Sequence, residues 1–103
     1  MDKELKTLDI DWSTKNNILN FKAEYNKRRD ILFIYSERDR PAVSIDCDGE
    51  YWVRVDPLNG EILGIEIEDF KRVFLKKHPE ISKDDAAYVR PIADLIALEK
   101  CAT

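Results

Sequence analysis

The sequence predicts an α+β fold: an antiparallel β-meander of four or five strands with two C-terminal helices packed on one face. Three features carry that prediction. Between residues 20 and 68, apolar and polar residues alternate with the period of two that marks half-buried strands. Asp48-Gly49 and Asn59-Gly60 punctuate these runs, and connections that short join antiparallel strands. After Asp69 the apolar spacing changes to three and four, the period of a helix. The 103 residues are 44% hydrophobic and 37% charged. A folded chain of this size exposes roughly 6,000 Å², which suits one core. A single domain over 1–103 is therefore expected, with an N-terminal extension (1–19), a β-meander (20–68) and a helical part (69–100).

The strands follow in order. Asn20 to Tyr25 puts Phe21, Ala23 and Tyr25 on one face, before the polar turn Asn26-Lys27-Arg28-Arg29-Asp30. Ile31-Leu32-Phe33-Ile34-Tyr35 is continuously apolar and suggests a central strand covered on both faces. Arg38-Asp39-Arg40-Pro41 ends it, because proline cannot donate to a ladder. Ala42 to Asp46 turns Val43, Ile45 and Cys47 inward and Ser44, Asp46 and Asp48 outward. Tyr51 to Asp56 places Tyr51, Val53 and Val55 against Trp52, Arg54 and Asp56. Pro57-Leu58-Asn59-Gly60 turns the chain again, and Glu61 to Glu68 sets Leu63, Ile65 and Ile67 on one face with Ile62, Gly64, Glu66 and Glu68 on a wet one.

Asp69 is placed to cap a helix whose apolar positions are Phe70, Val73 and Phe74, and His78-Pro79 ends it. Ser82 and Asp85 suit a capping box for a second helix. Its apolar residues run from Ala86 through Val89, Ile92, Ala93 and Ile96 to Leu98, with Pro91 expected to kink it or split it in two. The segment from Leu5 to Leu19 supports either a short helix from Asp11 or an edge strand over residues 8–12.

Seventeen Lys and Arg against 21 Asp and Glu give a net charge of −4. That balance argues against a general nucleic-acid or anionic-membrane binder. No apolar run approaches the roughly 20 residues of a membrane span, and the opening Met1-Asp2-Lys3-Glu4-Leu5-Lys6 is too polar for a signal peptide. Cys47 and Cys101 then read as free thiols, which points to the cytosol. With one histidine and three glycines, the chain has no zinc spacing, phosphate loop, dinucleotide turn or nucleophile elbow, and no cofactor is expected.

Several pieces of the middle region form a distinctive series: Arg29 to Ser36, Arg40-Pro41-Ala42-Val43-Ser44, and Asp56-Pro57-Leu58-Asn59-Gly60-Glu61 through to Ile67. Over about residues 25–79 the chain resembles the small prokaryotic family of unknown function numbered twenty-two eighty-three. The resemblance implies a small sheet-and-helix fold with no assigned activity. It also implies a compact cytosolic protein, in a family some of whose members are encoded beside toxin-like partners. The extended N-terminus and the tail from Ile81 to Thr103 lie outside the pattern.

The candidates for chemistry each have a plain structural explanation. Asp46, Asp48 and Glu50 offer spaced oxygens beside a tight turn, yet the EF-hand spacing is missing, and a solvated strand end accounts for them. Glu66 and Glu68 alternate with isoleucines as a half-exposed strand does, and Asp69 serves as a cap. His78, beside Lys76 and Lys77, suits the negative end of a helix. Lys27-Arg28-Arg29 and Lys71, Arg72, Lys76 and Lys77 could touch phosphate, with Tyr51 and Trp52 near for stacking, but acidic neighbours flank them. The last helix is apolar over more than one stripe. Val89, Ile92, Leu95, Ile96 and Leu98 therefore either contact a partner or are buried between the sheet and the N-terminal segment.

The expectation is a small, non-enzymatic cytosolic protein acting through protein–protein contact, with itself or another small protein. One alternative is an antitoxin-like component that neutralises a basic partner through an acidic sheet face. A second is a small metal-dependent hydrolase using Asp46, Asp48 and Glu66.

Overall fold

Ile31–Tyr35 and Ile62–Glu68, two of the most apolar stretches, lie side by side inside a five-stranded antiparallel sheet. The computed structural model describes residues 10–12, 18–36, 40–81 and 88–99. The strands are β1 (Lys22–Asn26), β2 (Ile31–Tyr35), β3 (Val43–Cys47), β4 (Tyr51–Val55) and β5 (Ile62–Glu68). A π-helical turn, Phe70–Phe74, continues into α1 (Leu75–Lys77), and α2 spans Val89–Glu99. The expected α+β architecture is present. The capping box at Ser82 and Asp85 and the segments 1–9 and 13–17 lie outside the described residues.

The spatial order is β1-β2-β5-β4-β3, which differs from a simple meander after β2. The chain crosses from β2 to the far edge and returns through two hairpins, so that β5 lands beside β2. Burial explains this arrangement. Residues 62–65 are all buried, whereas β3 carries exposed Val43 and Ser44 and suits an edge. Both expected turns form. Asp48 and Gly49 take φ of 58° and 75°, and Gly60 takes 77°.

One face of the sheet carries the core. Leu32, Ile34, Val53, Val55, Ile65 and Ile67 are buried in one cluster with Ile18, Phe70, Phe74, Ile92 and Ile96. A bulge between Arg54 and Val55 pairs Val55 with Ile62 but Arg54 with Gly64. That extra residue flips the local parity, so Ile62 joins the core cluster instead of the wet face expected for it. Burying Ile10 and Ile18 brings part of the N-terminal region into the same core. Asp11 forms an isolated parallel bridge with Glu61 there.

The helices differ from expectation in three ways. The first turn is π-helical: Phe74 N–H donates to Asp69 O at 3.1 Å. This wider turn stacks Phe70 on Phe74, with centroids 5.7 Å apart, and leaves Val73 exposed although a period of 3.6 would bury it. Asp69 occupies the N-cap position without capping, as described below. Pro91 lies in the first turn of α2, where its missing N–H has no intrahelical acceptor to lose, so it interrupts nothing. Cys47, expected as a free thiol, is disulfide-bonded. The other cysteine, Cys101, is outside the described residues, and the step from free thiols to the cytosol does not hold. Among the described residues no helix is long and apolar enough to cross a membrane.

Candidate functional site

Strand pairing aligns the outward side chains of the sheet into two rows. The first reads Glu24, Phe33, Glu66, Trp52 and Asp46 across β1, β2, β5, β4 and β3. The second reads Lys22, Tyr35, Gly64, Arg54 and Ser44 in the same strand order. Direct cross-strand neighbours have Cβ atoms about 5 Å apart, so each row is a continuous surface. Lys22, Glu24, Ser44, Asp46 and Trp52 are exposed, and Phe33, Tyr35, Arg54 and Glu66 are half-buried. All the carboxylates of these two rows fall in the first, and all the cations in the second. Among the described residues, Glu66 and Arg54 have no hydrogen bond or ion pair from their side chains.

Gly64 leaves a gap at the centre of the second row. A Cβ there would stand 2.8 Å from the Ile34 carbonyl oxygen, so the close approach of β2 excludes any side chain. Beside it lies a groove of about 330 Å³ lined by Glu24, Phe33, Tyr35, Arg40, Arg54 and Leu63, among others. Arg40 fixes its rim. Its Nη2 donates to Asp56 Oδ2 at 2.8 Å and to Glu61 Oε1 at 3.0 Å, tying the β4–β5 turn to the entry of β3. Those two carboxylates raise the Arg40 pKa further. The Leu58 amide, then Arg40, hold the Asp56 carboxyl below the usual carboxylate range.

Behind this face, Asp30 organises the start of the π-helical turn. It sits in the left-handed region at φ 56° and is buried. Its Oδ1 accepts from Tyr25 O–H at 2.7 Å and from Lys71 N–H at 2.9 Å, and its Oδ2 accepts from Arg72 N–H at 3.1 Å. The capping carboxylate therefore comes from the β1–β2 turn, some 40 residues upstream, while Asp69 pairs with the Arg72 side chain. Burial raises the Asp30 pKa, but the hydrogen bonds from Tyr25 and the two amides outweigh it and hold the group below its ordinary value. The same bond, with burial and the neighbouring negative charge, pushes the Tyr25 phenol up to about 12.

The residues singled out in sequence are placed as follows. Asp46 and Glu66 share the first outer row with Trp52 between them, and Asp48 sits in the β3–β4 turn. Among the described residues no three His, Cys, Asp or Glu side chains are grouped to hold a metal ion. Glu50 is instead bound to His78, whose Nε2 lies 2.7 Å from Glu50 Oε1, so the histidine ties the helix end to the β3–β4 turn. A cleft of about 240 Å³ adjoins that turn and is lined by Asp46, Glu50, Trp52, Glu68, Asp69 and Lys77, among others. Lys27, Arg28 and Arg29 meet Lys71 and Arg72 around Asp30, and the Lys71 ammonium lies 4.7 Å from the Tyr25 ring centroid. Val89, Ile92 and Ile96 are buried in the chain's own core and Leu95 is partly buried against it. The side chain of Leu98 is outside the description.

Sequence reasoning passed over Phe33 and Tyr35 as surface residues, and named Arg54 only as lying opposite Val53 and Val55. The run Ile31–Tyr35 looks buried on both faces because Phe33 and Tyr35 are apolar too. The usable signal was the alternation of its partner strand, which puts Glu66 and Gly64 opposite those rings. No family model, curated protein or solved structure matches this chain.

Proposed function

We propose that the protein acts without catalysis, through protein–protein contact at the outward face of its sheet. The observation that carries this reading is the first row: two aromatic side chains, Phe33 and Trp52, flank Glu66 at the centre of a surface that the helices leave uncovered. Aromatic anchors with a charge between them suit a docking surface, since rings bring large contact area at little conformational cost. Val89, Ile92 and Ile96 of α2 are used in the core, and the contact surface is assigned to the sheet instead.

A photo-crosslinking residue at exposed Ser44 tests the reading, with one at exposed Lys76 on the helix as reference. In the cells the protein comes from, Ser44 is expected to give an adduct of discrete mass that Lys76 does not. No adduct at Ser44, or equal adducts at both positions, would refute it. A second reading, the neutralisation of a basic partner, is favoured by Glu24, Glu66 and Asp46 standing in one row. It requires that the captured protein be basic and that binding weaken steeply with salt.

A further inference from the structure

We propose that a second copy of this chain occupies the open face, packed sheet to sheet about a two-fold axis. The axis would run across the strands, midway between the two outward rows. The inference rests on the reading of that face as the contact surface, and it follows from how charge is divided between the rows.

A two-fold axis in that position lays the first row of each copy over the second row of the other, strand upon like strand. Glu24 of the second copy then meets Lys22, and Phe33 meets Tyr35. Glu66 of the second copy meets the gap over Gly64, Trp52 meets Arg54, and Asp46 meets Ser44. The pairs are carboxylate with ammonium, ring with ring, indole with guanidinium, and carboxylate with hydroxyl. Each occurs twice by symmetry, and none brings like charges together.

The central pair fits in shape as well as charge. Glu66 of the second copy enters the groove that Tyr35 and Arg54 line, on either side of Gly64 in the register. Arg54 and Glu66 are the two charged groups near the middle of the face that lack ion pairs among the described residues. A two-fold axis along the strands instead would lay the first row on itself. It would stack Glu66 on Glu66 and Glu24 on Asp46, and repulsion disfavours it. Twisted sheets that pack aligned cross at about 30°, so contact is closest at the middle strand. That strand is β5, which carries both Glu66 and Gly64.

Five strands about 4.8 Å apart and five residues long span roughly 24 by 17 Å, about 400 Å² before side-chain relief. Counted over both copies that is about 800 Å², below the roughly 1,200 Å² at which specific, stable interfaces begin, so a weak, transient dimer with a dissociation constant of about 100 μM is expected.

Sedimentation equilibrium on the full chain, from about 1 to 500 μM at low salt, tests the proposal. The wild type is expected to pass from monomer to dimer across that range. Glu66→Arg and Arg54→Glu should each raise the dissociation constant about tenfold or more, and the double variant should return to within about threefold of wild type. Circular dichroism melting of each variant establishes that the fold is kept. A wild type that stays monomeric overturns the proposal. So does a dimer indifferent to both single changes, or a folded double variant that fails to recover. If the wild type stays monomeric while Ser44 crosslinks to a different protein, the dimer is refuted and the contact reading stands. If Ser44 captures nothing as well, both fail.

Discussion

The clearest stability prediction concerns Asp30 and Asp69, because local sequence rules and the observed geometry assign the helix cap to different residues. Both have positive φ, 56° and 51°, so replacing either with alanine carries the same backbone cost of about 1 kcal/mol. What differs is the carboxylate. Asp30→Ala removes the acceptor for the Lys71 and Arg72 amides and for the Tyr25 hydroxyl in a buried position. Loss of the capping acceptor alone is worth about 1 to 2 kcal/mol. Asp30→Ala is therefore expected to cost about 3 kcal/mol, and Asp69→Ala about 1 kcal/mol, since its exposed ion pair with Arg72 adds little. Urea unfolding followed by Trp12 and Trp52 fluorescence measures both. The difference should also depend on pH with a definite sign. The folded-state pKa of Asp30 is depressed, so its contribution is present above the unfolded value of about 3.9 and is lost as pH falls through the folded value. The gap between the variants should thus narrow as pH falls below the unfolded value. Equal costs at pH 7, or a gap unchanged in acid, would refute the assignment.

Three further outcomes follow from the same structure. Tyr25 should titrate near 12 by absorbance at 295 nm and return toward 10 in Asp30→Ala, with the stability it contributes present below about pH 10 and lost as pH rises through 12. Phe70→Ala should cost about 3 to 5 kcal/mol and Val73→Ala under about 1 kcal/mol, because the π-helical turn buries Phe70 at 0% exposure and leaves Val73 at 46%. Equal costs in urea would mean that the turn has ordinary α-helical register. Gly64→Ala should destabilise by about 1 to 3 kcal/mol, since the added methyl lies 2.8 Å from a backbone oxygen that cannot move without shifting β2. A neutral effect on thermal unfolding would mean that the two strands sit farther apart.

Most of the sheet was legible because alternation and turn chemistry are local. Tyr51, Val53 and Val55 fell inward as their spacing required, and the turns formed at Asp48-Gly49 and Asn59-Gly60. Non-local choices escaped. The bulge at Leu63, of which Gly64 beside it was the one local sign, depends on the partner strand and reverses the facing of Ile62. The strand order escaped for a related reason, since it is set by which strand most needs covering and not by its place in the chain. Asp30 was hidden in the charged turn 26–30, where its neighbours Lys27, Arg28 and Arg29 are solvated. Only the returning chain, 40 residues later, supplies the amides that give it a role. The candidate surface was half legible. Its acidic residues and Trp52 were noted, but Phe33, the other ring between them, was counted as core.

The polar content of the outer face is more ordered than the fold requires. Alternation asks only that outward positions tolerate water, and either sign of charge would do. A sheet that used these charges for its own stability would set opposite signs directly across from each other, where such pairs contribute a few tenths to 1 kcal/mol. Here none of the direct cross-strand pairs in the two rows joins opposite charges. Carboxylates alternate with rings along Glu24, Phe33, Glu66, Trp52 and Asp46, and cations stand beside Tyr35, Gly64 and Ser44. Glu66 and Arg54, whose side chains have no hydrogen bond or ion pair among the described residues, leave their charges available to a second surface. That surface must offer cations opposite the first row and acceptors opposite the second. Another copy of the same face, turned over, offers both.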